Sequence, residues 1–495
     1  MPPPVGGWDA RESLADMPEK NAVILDNWFP GTDTVKVRKG NSSWATGMTG
    51  AVESLIEYIP LDGNGELFAA NDGKIYDVSS TGAVGAAVVS GMTNDRWNHV
   101  NMGTSAGQYV LAFNGADTGR LYDGSTWSTV SITGPTAADI ITANIHQRRL
   151  WLIEKDSLSA WYLAVNAISG TATEFPLAGI AKRGGYIMAM GTWSLDAGDG
   201  LDDVAIFVTS EGEAIVYQGT DPSSASTWGL VGVFQIGKPI GRRCMVKAGA
   251  DLVIVTEDGF VPLSGILKMD RSQSRLVSLS DQIQSAVNAA VKIGGNIYGW
   301  QPILYPRGTM LIFNIPVSGT ASNQFVFNTI TGAPCRFTGI NAVCFGEMND
   351  NIYWGGYDGT VYKFDDGTSD AGTAIIADAL QAFSYFGSPS SNKLFKLAEP
   401  IFTSNGDPNA AIDFETDFVV TTPSGYPVAQ GGASSLWGIA KWGIAKWSSA
   451  AQVYRGWRGI RGSGRAGAIR VRITTSLNSP EWLATNYSFQ RGGIL

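Results

Sequence analysis

The sequence predicts an all-β protein: a β-propeller of six to seven blades with a second, β-sandwich-like platform domain. The first observation is a hairpin phrase, ELFAANDGKIYD at residues 66–77. Leu67 and Phe68 begin a strand, and Asp72-Gly73 supplies the positive φ that a two-residue hairpin turn requires. Ile75 and Tyr76 then start the return strand, where β-branched and aromatic side chains fit the pleat. The second observation is recurrence. Acid-Gly turns follow at Asp123-Gly124, Glu211-Gly212, Asp258-Gly259 and Asp358-Gly359, with separations of about 51, 88, 47 and 100 residues. These are one or two periods of about 45–50 residues, the size of a propeller blade. The third is composition: 61 glycines, 11% aromatics and only 16% charged residues suit many short strands and disfavour a helical bundle.

Taken in order, residues 1–50 form an ordered arm that does not follow the hairpin phrase. Ala22–Pro30 (AVILDNWFP) reads as a strand stopped by Pro30-Gly31, and Val35–Arg38 as a second. Residues 51–370 hold the blades. Arg148–Ile153 with Ala160–Leu163, and Tyr305–Ile315 with Gln324–Phe327, fill the two double intervals. The expected helix is Asp281–Val291, with Ser280 as N-cap and Ile283, Val287 and Val291 on one face. Residues 371–495 carry longer strands at Ile375–Phe386, Lys393–Phe402, Ala411–Val420 and Ile469–Thr474, the C-terminal platform. Between them, WGIAK occurs twice over residues 437–446, a repeat that fits neither strand nor helix period and reads as a loop. Unpaired edge strands invite association, so Ala22–Trp28 or Val35–Arg38 is expected to pair with C-terminal strands, making the arm part of the platform.

Charge and motifs narrow the function. With 35 Lys+Arg against 44 Asp+Glu, the net charge of −9 argues against a general nucleic-acid clamp. Cys244, Cys335 and Cys344 form neither a disulfide framework nor a zinc pattern and read as buried small residues. The start, Met1-Pro2-Pro3-Pro4, has no signal-peptide pattern, and no apolar run is long enough for a membrane span, so synthesis in a cytoplasm is expected. Gly103-Thr104-Ser105-Ala106-Gly107 matches a nucleophile elbow, yet strand-like sequence follows where a helix is needed, and only His99 and His146 are present as bases. Gly462, Gly464 and Gly467 have dinucleotide-fingerprint spacing, but the β-branched AIRVRIT follows them. Asp123–Trp127 departs from a sialidase Asp-box by one position. No catalytic residue and no cofactor is therefore expected. Asp196, Asp199, Asp202 and Asp203 are candidate cation ligands on a connector, without EF-hand spacing. Arg455, Arg458, Arg461 and Arg465, continued by Arg470 and Arg472 and interleaved with Tyr454 and Trp457, are candidates for an interface or a DNA-facing surface. An interface is favoured, because acidic partners abound in this chain.

The arm and blades together resemble a known family. Gly7–Met17 (GWDARESLADM), Ala22–Pro30, Ala160–Leu163, Gly185–Asp203 with Trp193, Gly212–Pro222 and the terminal Arg491-Gly492-Gly493 resemble the tail nozzle proteins of short-tailed bacteriophages, also called tail tube or packaged-DNA stabilisation proteins. The resemblance covers most of the chain and rests on glycine and aromatic blade signatures. It implies a structural, non-enzymatic protein of the virion tail, a homohexamer below the portal and adaptor rings. It also implies contacts with tail fibre or spike proteins, and packaged double-stranded DNA held in the ring and passed at infection. Sparse lysine and net acidity suit a conduit, since each neutralised phosphate would slow DNA exit. The alternative is a carbohydrate-binding, less readily carbohydrate-cleaving, tail propeller that recognises a host receptor.

Overall fold

A computed structural model describes residues 1–11, 13–196, 201–266, 278–423, 425–428 and 451–494. It contains a seven-bladed β-propeller. Blade 1 comprises Ser54–Tyr58, Glu66–Asn71, Lys74–Asp77 and Val89–Ser90. Blade 2 comprises Asn98–Thr104, Gly107–Phe113, Arg120–Tyr122 and Trp127–Thr129, and blade 3 comprises Ile140–His146, Arg149–Glu154, Ser159–Tyr162 and Thr173–Pro176. Blade 4 comprises Ile187–Asp196, Leu201–Thr209, Glu213–Gly219 and Trp228–Gln235. Blade 5 has three described strands, Met245–Ala248, Asp251–Thr256 and Gly259–Pro262. Blade 6 comprises Gln301–Tyr305, Met310–Pro316, Ser322–Asn328 and Pro334–Phe337. The first strands of successive blades pack side by side, and that of blade 7, Ala342–Met348, meets that of blade 1 to close the ring.

Blade 7 is completed by the N-terminus. Asn351–Gly356 and Val361–Lys363 continue it, and Ser42–Thr46 adds antiparallel as its fourth strand. Ser42–Thr46 lies in the stretch that the sequence reading assigned to the arm. Its own residues, SSWAT, carry no hairpin phrase because its partner lies more than 300 residues away, as in the Ser42–Asp366 hydrogen bond. The Asp72-Gly73 turn has positive φ at both residues, 52° and 67°, as a type I′ hairpin demands. Asp72-Gly73, Glu211-Gly212, Asp258-Gly259 and Asp358-Gly359 all join the second strand of a blade to its third. Asp123-Gly124 is different, for it joins the third strand of blade 2 to the fourth. At the second-to-third position blade 2 uses Asn114, whose Oδ1 accepts the N–H groups of Ala116 and Asp117. An Asx turn there replaces the acid-Gly pair.

The platform is a two-sheet sandwich. In one sheet Asn21–Asp26, Ile375–Gln381, Gly467–Thr475 and Ala411–Thr416 lie side by side. The other contains Trp28–Pro30, Val35–Val37, Glu481–Ile494 and Ser391–Ser404, with Gln452–Arg455 and Arg458–Gly464 successively along its edge. Asn21–Asp26 thus pairs with a C-terminal strand, and so does Val35–Val37. A bridge between Asp26 and Arg336, reinforced by an ion pair of 2.6 Å, joins blade 6 to the platform in one nine-stranded sheet. Phe313 and Phe327 of blade 6, Val471 and Ile473 of one platform sheet, and Phe402 and Trp482 of the other share one apolar core.

The helix spans Gln284–Gly294 after a 3₁₀ turn at Asp281–Ile283, with Ile283 and Val287 buried. Ser280 does not cap it. Its hydroxyl accepts the N–H of Phe260 and donates to Gln284 instead, tying the helix to blade 5. The WGIAK repeat at 437–446 lies outside the described residues.

Candidate functional site

The blades' first strands leave their inner edges unpaired around the propeller axis, so their backbone groups need partners. Polar side chains of neighbouring blades supply them. The Asn101 amide donates to Glu57 O and accepts Ile59 N–H, the Asn144 amide donates to Met190 O, and the Gln301 side chain both donates to and accepts from the Phe345 backbone. His99 belongs to this set: its Nε2 faces the Glu57 N–H at 3.4 Å, and burial with the nearby Arg243 charge lowers its pKa to about 4. It is a neutral acceptor at a strand edge.

Arg243 crosses the axis. Its guanidinium donates to Ser54 Oγ at 2.5 Å, Trp97 O at 2.7 Å, Asn98 Oδ1 and Glu53 O at 3.3 Å, and Gln301 Oε1 at 3.4 Å. It therefore staples blade 5 to blades 1, 2 and 6. Tyr298 lies beneath it, with ring centroid 5.4 Å from the Arg243 guanidinium and 4.5 Å from that of Arg96, and its hydroxyl donates to Glu53 O. Arg242 and Arg243 line two cavities. One, of about 450 Å³, lies towards the loop that holds Asn296 and Tyr298. The other, of about 670 Å³, runs along the first strands past Arg148, Asp203 and Lys247. A third cavity, also about 670 Å³, lies between blade 7 and the platform, lined by Asn341, Tyr357 and Asp358.

Ser105 occupies the two-residue turn between Asn98–Thr104 and Gly107–Phe113, with strands on both sides and no helix after it. His146 is buried in blade 3 against Trp228, with ring centroids 5.5 Å apart, and burial lowers its pKa to about 4. Neither arrangement holds a serine and a histidine together. The Asp123 carboxylate accepts the N–H groups of Ser125 and Thr126, which lowers its pKa to about 2 and accounts for it as a turn former. Gly462, Gly464 and Gly467 lie on two consecutive platform strands. Of the four aspartates proposed as cation ligands, Asp199 and the side chains of Asp196 and Asp202 lie outside the described residues, and Asp203 lines the axial cavity. No group of three or more potential metal ligands occurs among the described residues. All three cysteines are buried and unpaired, and burial pushes the thiols of Cys244 and Cys344 up to about 12.

The arginine stretch divides. Arg470 and Arg472 are buried and paired with Asp378 and Asp413, at 2.7 and 2.6 Å. Thr421 and Tyr426 cover them, with Thr421 O accepting from Arg470 and the Tyr426 ring 5.5 Å from the Arg472 guanidinium. Arg455, Arg458, Arg461 and Arg465 are exposed along the edge strands, and no ion pair engages them among the described residues. Trp457, half exposed, stands among them, with exposed Leu394, Leu397 and Val453 on the same sheet. Sequence reasoning found this edge but missed Arg243, Arg148 and Lys247. The tandem pairs Arg148-Arg149 and Arg242-Arg243 were the available signals for the axis.

No family model matches the chain, and no curated protein matches it. Among solved structures it is similar to BBS1N in complex with ARL6DN, at 11% identity and a TM-score of 0.42 over 69% of this chain and 100% of that one. It is also similar to the Swd1 β-propeller domain of Myceliophteria thermophila, at 11% identity and a TM-score of 0.43 over 67% of this chain and 99% of that one. The computationally designed Ika8 protein matches at 12% identity and a TM-score of 0.38, over 69% and 96%. None of the three is a phage tail protein. The class that the sheets define is a seven-bladed β-propeller with a fused β-sandwich platform.

Proposed function

We propose that this chain is a structural subunit of the tail nozzle of a short-tailed bacteriophage, a virion protein that retains packaged double-stranded DNA and conducts it at ejection. The observation that carries the reading is the edge of the platform, where Arg455, Arg458, Arg461 and Arg465 stand exposed beside Trp457 with no ion partner among the described residues. Arginine and tryptophan are the side chains that dominate binding at protein interfaces, and this chain's excess of acids supplies complementary surfaces on another copy. The axis supports the same reading from the opposite side. Arg243 and Tyr298 close it, so a duplex cannot traverse one chain, and a conduit has to be enclosed by several. Homohexamer formation, seating on the portal-adaptor ring and docking of fibre or spike proteins then follow from the sequence resemblance.

The test is Arg455→Ala/Arg458→Ala/Arg461→Ala, scored separately for ring formation by mass and for genome retention in particles. Loss of rings is expected, since a buried carboxylate left without its arginine costs about 2–5 kcal/mol. Intact rings with leaking or stalled DNA would assign these arginines to the genome instead. A chain that stays monomeric in every context and retains glycans on an array would replace the nozzle with the receptor-binding reading.

A further inference from the structure

We propose that the larger axial cavity is a binding site for a small phosphorylated anion, of a size between pyrophosphate and a nucleoside triphosphate. Its volume of about 670 Å³ lies within the range of small-molecule sites. Its described wall carries four cationic side chains, Arg148, Arg242, Arg243 and Lys247, against one carboxylate, Asp203. That excess of positive charge stands inside a chain whose net charge is −9.

The four cations are not equivalent. Arg243 spends its guanidinium on five oxygen acceptors and is accounted for as a staple. Arg148, Arg242 and Lys247 have no ion pair and no side-chain hydrogen bond among the described residues. They come from different elements: the first turn of blade 3, the connector before blade 5, and the first strand of blade 5. Arg148 and Lys247 lie towards the end of the blades' first strands and Arg242 towards their start, where its guanidinium neighbours Gly115 and Ile141, so the Arg148–Lys247 end is where a ligand with several negative oxygens is held. Arg242 is also partly desolvated, which lowers its pKa and makes an anionic partner more favourable. Phosphate oxygens match the arginine fork and the lysine point charge together. His99, neutral on the same wall, adds no charge of its own near neutral pH. The Arg243–Tyr298 closure makes the cavity blind at one end, so a nucleic-acid strand cannot thread it and a small ligand can fill it.

The experiment is calorimetric titration of the full chain with pyrophosphate and with magnesium-free ATP at physiological ionic strength, with sulfate as a control for simple ionic attraction. One saturable site per chain is expected. In Arg148→Gln/Lys247→Gln the dissociation constant should rise at least tenfold, while Arg455→Gln, on the platform edge, should leave it unchanged. Both variants replace exposed groups, and unchanged thermal midpoints would establish that they fold. Absence of saturable binding, binding unaffected by the cavity variant, or equal weakening by Arg455→Gln would each overturn the proposal. Because the platform edge is the control, the outcome is independent of whether the chain forms rings.

Discussion

Blades 1–4 and the region made of blades 5–7 with the platform are built from the same kind of strand, yet their cores are organised differently. In the first region each pair of neighbouring blades encloses its own cluster. Ile56 and Val110 belong to one between blades 1 and 2, Leu111 and Leu152 to the next, and Trp151 and Phe207 to the one after. In the second, one cluster extends from Phe260 through Phe313 to Trp482, crossing from propeller to platform. Phe260 and Phe313 stack at 3.8 Å, with planes 4° apart, at the start of that continuous core. The polar interior differs in parallel. The propeller axis is satisfied mainly by neutral amides and one arginine, whereas the platform buries ion pairs such as Arg470–Asp378. The blades are thus a chain of modules, and the platform fuses the last of them into one unit.

The sharpest way to break this contrast is through the platform's buried charge. Arg470→Met should cost about 3–5 kcal/mol in denaturant unfolding, because Asp378 is left buried without its partner. Arg470→Met/Asp378→Leu should recover most of that loss. Next come two matched cavities. Leu111→Ala and Ile312→Ala each remove a fully buried side chain and should each cost about 2–5 kcal/mol. Hydrogen exchange separates them: Leu111→Ala should loosen blades 2 and 3 alone, whereas Ile312→Ala should loosen blade 6 and both platform sheets. Equal spreading from both sites would refute the modular picture.

At the axis, Ser54 Oγ accepts from Arg243 and from Trp97 N–H while donating to Asp95 O. Ser54→Ala leaves buried donors unsatisfied and should cost about 1–3 kcal/mol. The smallest effects are in pH dependence. The two histidines have folded pKa values near 4, below the ordinary 6.5, so the unfolded chain binds their protons first. Their contribution to stability is complete above about pH 6.5 and falls as pH drops towards 4. Glu57 has the opposite sign. Burial and the nearby Glu347 raise its pKa to about 7, so its contribution is complete below its ordinary 4.5 and declines as pH rises towards 7. Thermal midpoints between pH 4 and 7.5 should therefore fall less steeply on acidification in His146→Gln. In Glu57→Gln, the decline from about pH 4.5 to 7 should be reduced.

The residues alone determined the local grammar. Asp72-Gly73 could only be a tight turn, the β-branched and aromatic residues beside it marked strands, and the spacing of acid-Gly pairs marked a blade-sized period, because φ preference and strand propensity act within a few residues. Tertiary structure decided everything that depends on distant partners. Ser42–Thr46 becomes a blade strand only because Val361–Lys363 offers an edge, and Asp26 joins two regions only because Arg336 is carried to it. One run of arginines becomes two classes because Thr421 and Tyr426 cover Arg470 and Arg472 while Arg455, Arg458 and Arg461 are left in solvent. The axial cavity likewise draws Arg148, Arg242 and Lys247 from separate elements, and no local sequence pattern encodes that they line one wall. Burial and long-range strand pairing are set by the whole chain's closure, so charge placement is legible in the sequence only after the ring is closed.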